Sequence, residues 1–453
     1  MMSTAYRQAK DIVKRHVHAN QNDVLIFCGS GTTSAVNKLQ RILGLRIPEK
    51  IMDYIKKQSG PPGIQEKQAD PSQVNKLLTD HLRLDETLRP VVFITHMEHH
   101  SNQTSWLETI ATVEIIGRHK NGNVDLKHFR ELLEKFKDRK NKIAAISACS
   151  NVTGIQTPVH QIAALIHEFG GLCFVDFAAS APYVNINMHP SKKNATLDAI
   201  YFSPHKFLGG PGTPGVLIFG KHIYTNKIPD QPGGGTVAYS NPWKDHRYVG
   251  DIEEREDGGT PPFLQAFRAA MCIRLKETMG VDNILRREKE ILDNIFRRFA
   301  GIAKVKVLEG NIKKRLGIIS FIVHGVHHDL FVKILNDRFG LQLRGGCSCA
   351  GTYGHILLGV SKKRSYEIER AISRGNMLVK PGWIRLSVHP TMTDKEINFI
   401  MDAIERAVSN LAQWAQDYDY DPESARYYVK GISTTDQHQI AQWFNPALRP
   451  AQI

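Results

Sequence analysis

Short, unbroken apolar runs alternate with stretches of helical periodicity through the first half of the chain. The runs are Val24–Cys28, Val91–Thr95, Thr112–Ile116, Ile143–Ser147, Leu172–Val175, Ala199–Phe202 and Val216–Phe219. They are too short for helices, and their continuous apolarity predicts strands buried on both faces. Between them, apolar residues recur three and four apart. Residues 3–19 form an amphipathic pattern, and Ala35, Val36, Leu39 and Leu43 mark a helix over Ser34–Leu43. Leu126–Phe136 and Ile162–Phe169 read the same way. Such alternation predicts an α/β fold with a mostly parallel sheet covered on both sides. Residues 57–76, with Gly60-Pro61-Pro62-Gly63, read as a surface loop, and residues 225–262 as a long loop region. A helical pattern follows from Phe263 towards Phe299, with a break at Gly280. Beyond Val305, strands are expected at Leu316–Val323, Leu341–Arg344 and Trp383–Val388. The chain is thus expected to divide into a large domain (1–275), a smaller C-terminal α/β domain (276–415) and an irregular Tyr- and Asp-rich tail (416–453).

Composition narrows the class. With 42% apolar and 23% charged residues, the chain has ordinary globular composition. No run of 18 apolar residues predicts a membrane span. The N-terminal helix lacks the apolar core of a signal peptide, and its basic, acid-poor character leaves a mitochondrial presequence as an alternative to the expected cytoplasmic location. Six cysteines give no disulfide framework for a chain of this length, which points to a reducing compartment. The net charge of +14 comes from scattered residues and short clusters such as Lys313-Lys314-Arg315. Without a zinc-finger or RNA-recognition signature, it reads as a basic surface with a pocket for anionic ligands, and no nucleic-acid partner is expected.

Ligands of such sheets bind at the carboxyl ends of the strands. The polar clusters fall there: Thr32-Thr33, Glu98-His99-His100, Ser150-Asn151, Asp176, and Ser203 to Lys206. A strand, a glycine turn and a helix over residues 24–43 place backbone N–H groups on an anion, although no Gly-Lys-Ser/Thr of a P-loop follows. Lys206 is either a surface lysine in a Gly/Pro turn or a lysine immobilised near a dry pocket, where it loses proton affinity and becomes a nucleophile. Asp176 ends a strand thirty residues before it. A lysine for a Schiff base, an acid for a pyridine nitrogen and donors for a phosphate are what pyridoxal 5'-phosphate (PLP) requires.

These ordered motifs resemble those of the class V aminotransferases, the fold-type I PLP-dependent family, in its cysteine desulfurase and selenocysteine lyase branch. The likeness runs from about Tyr6 to about Ala415. It implies the PLP-dependent transferase fold type I, a large domain with a mostly parallel sheet plus a smaller C-terminal domain. By the resemblance, Gly31-Thr32-Thr33 with Asn37 is the phosphate turn. His99, in Glu98-His99-His100-Ser101-Asn102, stacks on the cofactor ring and moves protons. Asn151 faces the ring hydroxyl, Asp176 partners the pyridinium, Ser203 and His205 hold the phosphate, and Lys206 carries the Schiff base. Thr260, in Gly259-Thr260-Pro261, reaches the phosphate held by the other protomer of a homodimer. Arg344-Gly345-Gly346-Cys347-Ser348-Cys349-Ala350 is similar to the desulfurase loop, with Cys349 accepting sulfur as a persulfide. Arg385, with Arg344, binds the substrate carboxylate. The resemblance implies an amino-acid substrate and a sulfur-acceptor protein as a further partner.

Three departures from the family pattern stand out. Ala179 occupies the position, three residues after Asp176, where the desulfurase branch carries Gln. Only thirty residues precede Gly31, where the family has several dozen. Between Cys349 and Arg385 lie 35 residues, and the insert Gly351–Pro381 is expected to cover the cysteine or dock a partner. On the residues alone, His99 and His100 also read as ordinary strand-end histidines, Asn151 as a turn former, Cys349 as an inert loop thiol and Arg385 as an ion-pair residue. Cys347 with Cys349 lacks a second pair, so no metal is expected. His324, His327 and His328 read as surface residues. The function expected is cysteine desulfuration. The alternatives are another class V activity (selenocysteine lyase, aminotransferase or molybdenum-cofactor-type sulfurtransferase) or a non-catalytic scaffold of the same fold.

Overall fold

Neighbouring residues of a strand face opposite sides of a sheet, so an unbroken apolar run must be buried twice. The computed structural model, which describes residues 1–51, 86–431 and Trp443, meets that requirement. The loop expected at 57–76 lies outside the described residues. Helix α1 (Met2–His16) leads into β1 (Asp23–Cys28), α2 (Thr32–Ile42), β2 (Val91–Thr95), α3 (His100–Leu107) and β3 (Thr112–Ile116). Then come α4 (Leu126–Lys135), β4 (Lys142–Ser147), α5 (Val159–Glu168), β5 (Leu172–Asp176), β6 (Ala199–Phe202) and β7 (Gly215–Gly220). The seven strands form one sheet in the order β1-β7-β6-β5-β4-β2-β3. Only β7 runs antiparallel to its neighbours, so the expected mostly parallel α/β sheet is borne out.

Alternate residues go to the two faces of this sheet. Val24, Ile26, Ile94, Phe174 and Leu217 pack with Ala35, Val36 and Leu39 of α2 on one face. Leu25, Phe27, Phe93, Val175 and Ile218 pack on the other, with Val13 of α1, Phe129 of α4 and Ile166 of α5. Asp125 caps α4 by accepting from Lys127 N and His128 N at 2.9 and 3.1 Å, so the helix starts where its apolar face begins.

The region expected to be a long loop (225–262) contains regular structure. Strands β8 (Val237–Ser240) and β9 (His246–Tyr248) form a hairpin, and α6 (Ile252–Arg255) follows, capped by Asp251. Asn241 Oδ1 accepts from the backbone N of Trp243 and of Asp245, which closes the hairpin turn. The short exposed strands carry no apolar run, so periodicity did not mark them.

Helix α7 (Phe263–Met279) passes the expected boundary at 275–276 and ends at Gly280, whose φ of 78° suits a helix stop; α8 (Val281–Ala300) starts there. A second core begins at Ile291. It lies between α8, α9 (His328–Phe339) and α12 (Asp394–Ser409) and a sheet of β10 (Val305–Val307), β11 (Ile318–Val323), β12 (Arg344–Gly346) and β13 (Trp383–Ser387). That sheet is fully antiparallel, in the order β10-β11-β13-β12. The third strand starts at Arg344, three residues later than expected from Leu341, because the glycines that follow Arg344 pair with β13. Helices α10 (Gly351–Leu358) and α11 (Lys362–Ser373) fill the insert. The tail expected to be irregular forms a hairpin of β14 (Tyr418–Asp421) and β15 (Arg426–Val429). Its alternating Tyr and Asp put Tyr418 into the second core. His327 and His328, expected at the surface, are half-buried at the start of α9.

The loop after β4 is tied to the segment that leads into β11 at Gly154, whose carbonyl accepts from Leu316 N at 2.9 Å. Its φ is 71°, and a Cβ there would stand 2.5 Å from Leu316 O. Gly154→Ala is therefore expected to destabilise the protein by at least about 1–2 kcal/mol, read as a lower urea midpoint; an unchanged midpoint would show that this junction tolerates displacement.

Candidate active site

The parallel strands deliver their carboxyl ends to one edge, as the pairing of Ser147 with Asp176 and of Asp176 with Tyr201 records. Past that edge lies a cavity of about 290 Å³. Ser30 to Ser34, His99, Asn151, Asp176, Ser203, His205, Lys206 and Arg344 all line it. Eight of the expected site residues, from Thr32, Thr33 and His99 to Lys206, thus meet in one place together with Arg344.

One wall is the start of α2. Its N-cap is Gly31, without a side-chain cap. Ser203 Oγ accepts from Thr32 N at 2.8 Å and bonds Thr32 Oγ1 at 2.7 Å, which ties the lysine loop to the helix start. Thr33 Oγ1 bonds Ser101 Oγ at 2.7 Å, and His205 Nδ1 bonds Ser30 O at 2.9 Å. A Cβ at Gly31 would stand 2.8 Å from His205 Cε1 and 3.0 Å from Ser203 Oγ.

The floor holds Asp176, only 5% exposed, which accepts from Ala178 N at 2.7 Å. Burial pushes its carboxyl up to about 7, against the pull of that bond and of Lys206. Lys206 opens onto the cavity yet is walled by protein. That crowding lowers its proton affinity, with Asp176 opposing the shift and Arg385 and Arg344 adding to it. His99 caps α3 by accepting from Ser101 N at its Nδ1. Burial, with Lys206 next in weight, brings His99 down to about 4, so it is neutral at ordinary pH.

Behind His99 lies a network that sequence reasoning quoted as a motif without giving it work. Glu98 is buried and accepts from Thr95 Oγ1 at 2.6 Å, Ser147 N at 2.9 Å and Asn102 Nδ2 at 2.8 Å. Burial raises its carboxyl, and these bonds oppose the rise. Asn102 Oδ1 in turn accepts from Tyr201 O–H at 2.6 Å. The network joins β2, β4 and β6 beneath the cavity; the i, i+4 spacing of Glu98 and Asn102 at a helix start is the signal that points to it.

The second sheet supplies the other wall. Arg344 on β12 pairs across from Arg385 on β13. Arg385 donates to Asn151 O at 3.2 Å; burial lowers its proton affinity, and Arg344 adds to that. Arg344 Nη2 donates to Cys349 Sγ at 3.1 Å. Asn151 Nδ2 donates to Ser348 O at 2.7 Å, and its Oδ1 is buried without a hydrogen-bond partner among the described residues. Cys349 and Arg385 therefore adjoin the cavity through Arg344 and Asn151. Thr260 is exposed and does not line the cavity within its own chain.

The family model for aminotransferase class-V matches residues 83–400. The chain is 28% identical over 360 residues to a "Probable cysteine desulfurase" of Halalkalibacterium halodurans, covering 77% of this chain and 74% of that one. It is 28% identical over 295 residues to a "Cysteine desulfurase" of Haloferax volcanii, covering 64% and 66%. Among solved structures, the fold matches a cysteine desulfurase from Thermococcus onnurineus NA1 with a TM-score of 0.67 at 23% identity, over 90% of this chain and 85% of that one. The Escherichia coli cysteine desulfurase CsdA matches with a TM-score of 0.65 at 18% identity, over 90% and 84%. Among the described residues, no helix is long and apolar enough to cross a membrane.

Because Asp176 holds its proton more tightly folded than unfolded, its charge opposes folding fully above pH 7, and the opposition fades as pH falls towards 4. In the cofactor-free protein, Asp176→Asn is expected to raise stability at pH 8 by about 2–4 kcal/mol and by little near pH 4.5. Urea titrations at the two pH values measure this; a variant no more stable than wild type at pH 8 contradicts the burial argument.

Proposed function

Since the chain belongs to the class-V aminotransferase family, we propose that its reaction is the desulfuration of L-cysteine, with Cys349 as the first sulfur acceptor. It is a PLP-dependent enzyme, and the residues present fit that cofactor. The start of α2, whose N-cap Gly31 has no side chain and so lets Ser203 and His205 approach the first helical turn, suits a phosphate. Asp176, denied water, suits a protonated pyridine nitrogen, and the orphaned Asn151 Oδ1 suits a hydroxyl. When bound, PLP supplies an electron sink for the carbon that bears the substrate's amine.

The chain's own residues do the rest. Lys206, its proton affinity lowered by crowding, holds the cofactor and takes and returns the substrate's α proton. Neutral His99 would stack on the ring and relay protons. Ser203, His205, Thr32 and Thr33 hold the phosphate. Arg385 clamps the substrate carboxylate, a task suited to a planar guanidinium, with Arg344 beside it. The Cys349 thiol attacks the substrate sulfur: its S–S bond forms as the substrate's C–S bond breaks, and the products are a Cys349 persulfide and L-alanine. The single observation that carries this reading is Arg344, which lines the cavity and donates to Cys349 Sγ at 3.1 Å. A guanidinium that touches both the cavity and the sulfur supports an acceptor role for that thiol.

The reading includes a homodimer. Leu264 and Met271, 72% and 71% exposed, form an apolar stripe on α7. Arg268 on the same helix donates to Pro211 O at 2.6 Å in the loop that follows Lys206. A second copy covering this stripe brings its own Thr260 towards the phosphate. Six free cysteines support a reducing compartment, the cytoplasm. A sulfur-acceptor protein takes the persulfide onward.

Purified protein with PLP is expected to release alanine from L-cysteine, and Cys349→Ala is expected to lose at least about 100-fold of that rate, a loss of roughly 2.7 kcal/mol in transition-state stabilisation, while still binding PLP. Retained sulfur transfer in the variant contradicts the persulfide role. Turnover of a different amino acid, with none of cysteine, moves the chain to another class V activity.

A further inference from the structure

The loop that carries Cys349 is not self-supporting. Ser348 and Cys349 have φ of 53° and 57°, a left-handed conformation that L residues avoid. The tight turn from Cys347 to Ala350 is closed by Ala350 N donating to Cys347 O at 3.1 Å. Such a turn persists when its surroundings fix it from outside. His100 does so from both sides of Ala350. Its backbone N donates to Cys349 O at 2.8 Å, and its Nε2 accepts from Gly351 N at 2.9 Å. The imidazole approaches closely because residue 351 is glycine: a Cβ there would stand 3.1 Å from Nε2. The bond from Gly351 requires Nε2 to be the unprotonated nitrogen, with any ring proton on Nδ1.

We propose that His100 is a positioning residue that latches the Cys349 loop to the start of α3 and so fixes the thiol relative to His99. The two histidines are adjacent in the chain, and each satisfies groups at that helix start: His99 accepts from Ser101 N, and the backbone N–H of His100 is spent on Cys349 O. Movement of the sulfur-accepting loop is thereby coupled to the helix that carries the ring-stacking side chain. Downstream, Ala350 and Tyr353 are buried in the main core, so the loop pivots between a fixed helix and the latch. Asn151 Nδ2 on Ser348 O at 2.7 Å is a second, separate tie. The consequence for catalysis rests on the desulfurase reading; the latch itself does not.

The test is alkylation of Cys349 in the PLP-loaded protein by iodoacetamide, mapped by mass spectrometry in a Cys347→Ser background. Loss of one such hydrogen bond corresponds to about a fivefold to tenfold change in the population of an opened loop. His100→Leu is expected to alkylate faster by that factor, and His100→Gln, whose Oε1 can take the place of Nε2 as acceptor, to fall back to within about twofold of the parent. The same Leu variant is expected to lower kcat for alanine release with little change in KM for cysteine. Equal alkylation in His100→Leu and the parent overturns the latch, whatever the desulfurase activity. If the parent alkylates as expected but releases no alanine from cysteine, the desulfurase reading fails while the alkylation series still decides the latch. Should His100→Leu not fold, His100→Ala removes the acceptor without filling its place; faster alkylation in that variant supports the latch and an unchanged rate overturns it.

Discussion

The burial of one carboxylate, Asp176, is the constraint on which the site depends. Water would hold that group ionised at no cost, but the end of β5 lies between β4 and β6 with cores on both faces of the sheet. Its carboxyl is consequently raised to about 7, and a cationic partner on the cavity side is what relieves it. Lys206 responds in the opposite sense: Asp176 favours its charge, and crowding disfavours it more. A site that destabilises both ionised groups is matched to a ligand that brings a cationic group to Asp176 and reacts with an uncharged Lys206.

The second sheet completes the site by an arrangement that is also costly. Arg344 and Arg385 face one another across β12 and β13, like charges in register. Arg385 is half-buried and held by a carbonyl, that of Asn151. Two guanidiniums with no carboxylate partner among the described residues suit an anionic substrate group, and Arg344 reaches the sulfur as well. Asn151 then ties two parts together, its carbonyl to Arg385 and its amide to Ser348, while it lines the cavity itself. Such shared residues make cofactor, substrate and cysteine loop parts of one geometry.

Much of this was legible in the chain. Apolar runs broken by helical periods predicted the parallel sheet. Once the sheet is accepted, Thr32, His99, Asn151, Asp176 and Lys206 must share an edge, because each follows a strand that runs the same way. Three other features were hidden for physical reasons. The β8–β9 and β14–β15 hairpins are short and polar, held by turn chemistry and by Tyr418 rather than by apolar runs. The start of β12 depends on backbone pairing by glycines, which leaves no side-chain pattern. The docking of Cys349 on His100 depends on two left-handed residues in a row, a conformation that neither Ser nor Cys announces. Ala179, the departure from the family's Gln that the chain itself shows, lines the cavity together with Asn151.

The central claim is that Lys206 is the residue that holds the cofactor. The direct measurement is borohydride reduction of the PLP-loaded protein, followed by digestion and mass mapping of the modified lysine. The account predicts a single pyridoxyl-phosphate adduct on the peptide containing Lys206, lost in Lys206→Ala. An adduct on another lysine, such as the buried Lys276, or none at all, would contradict it.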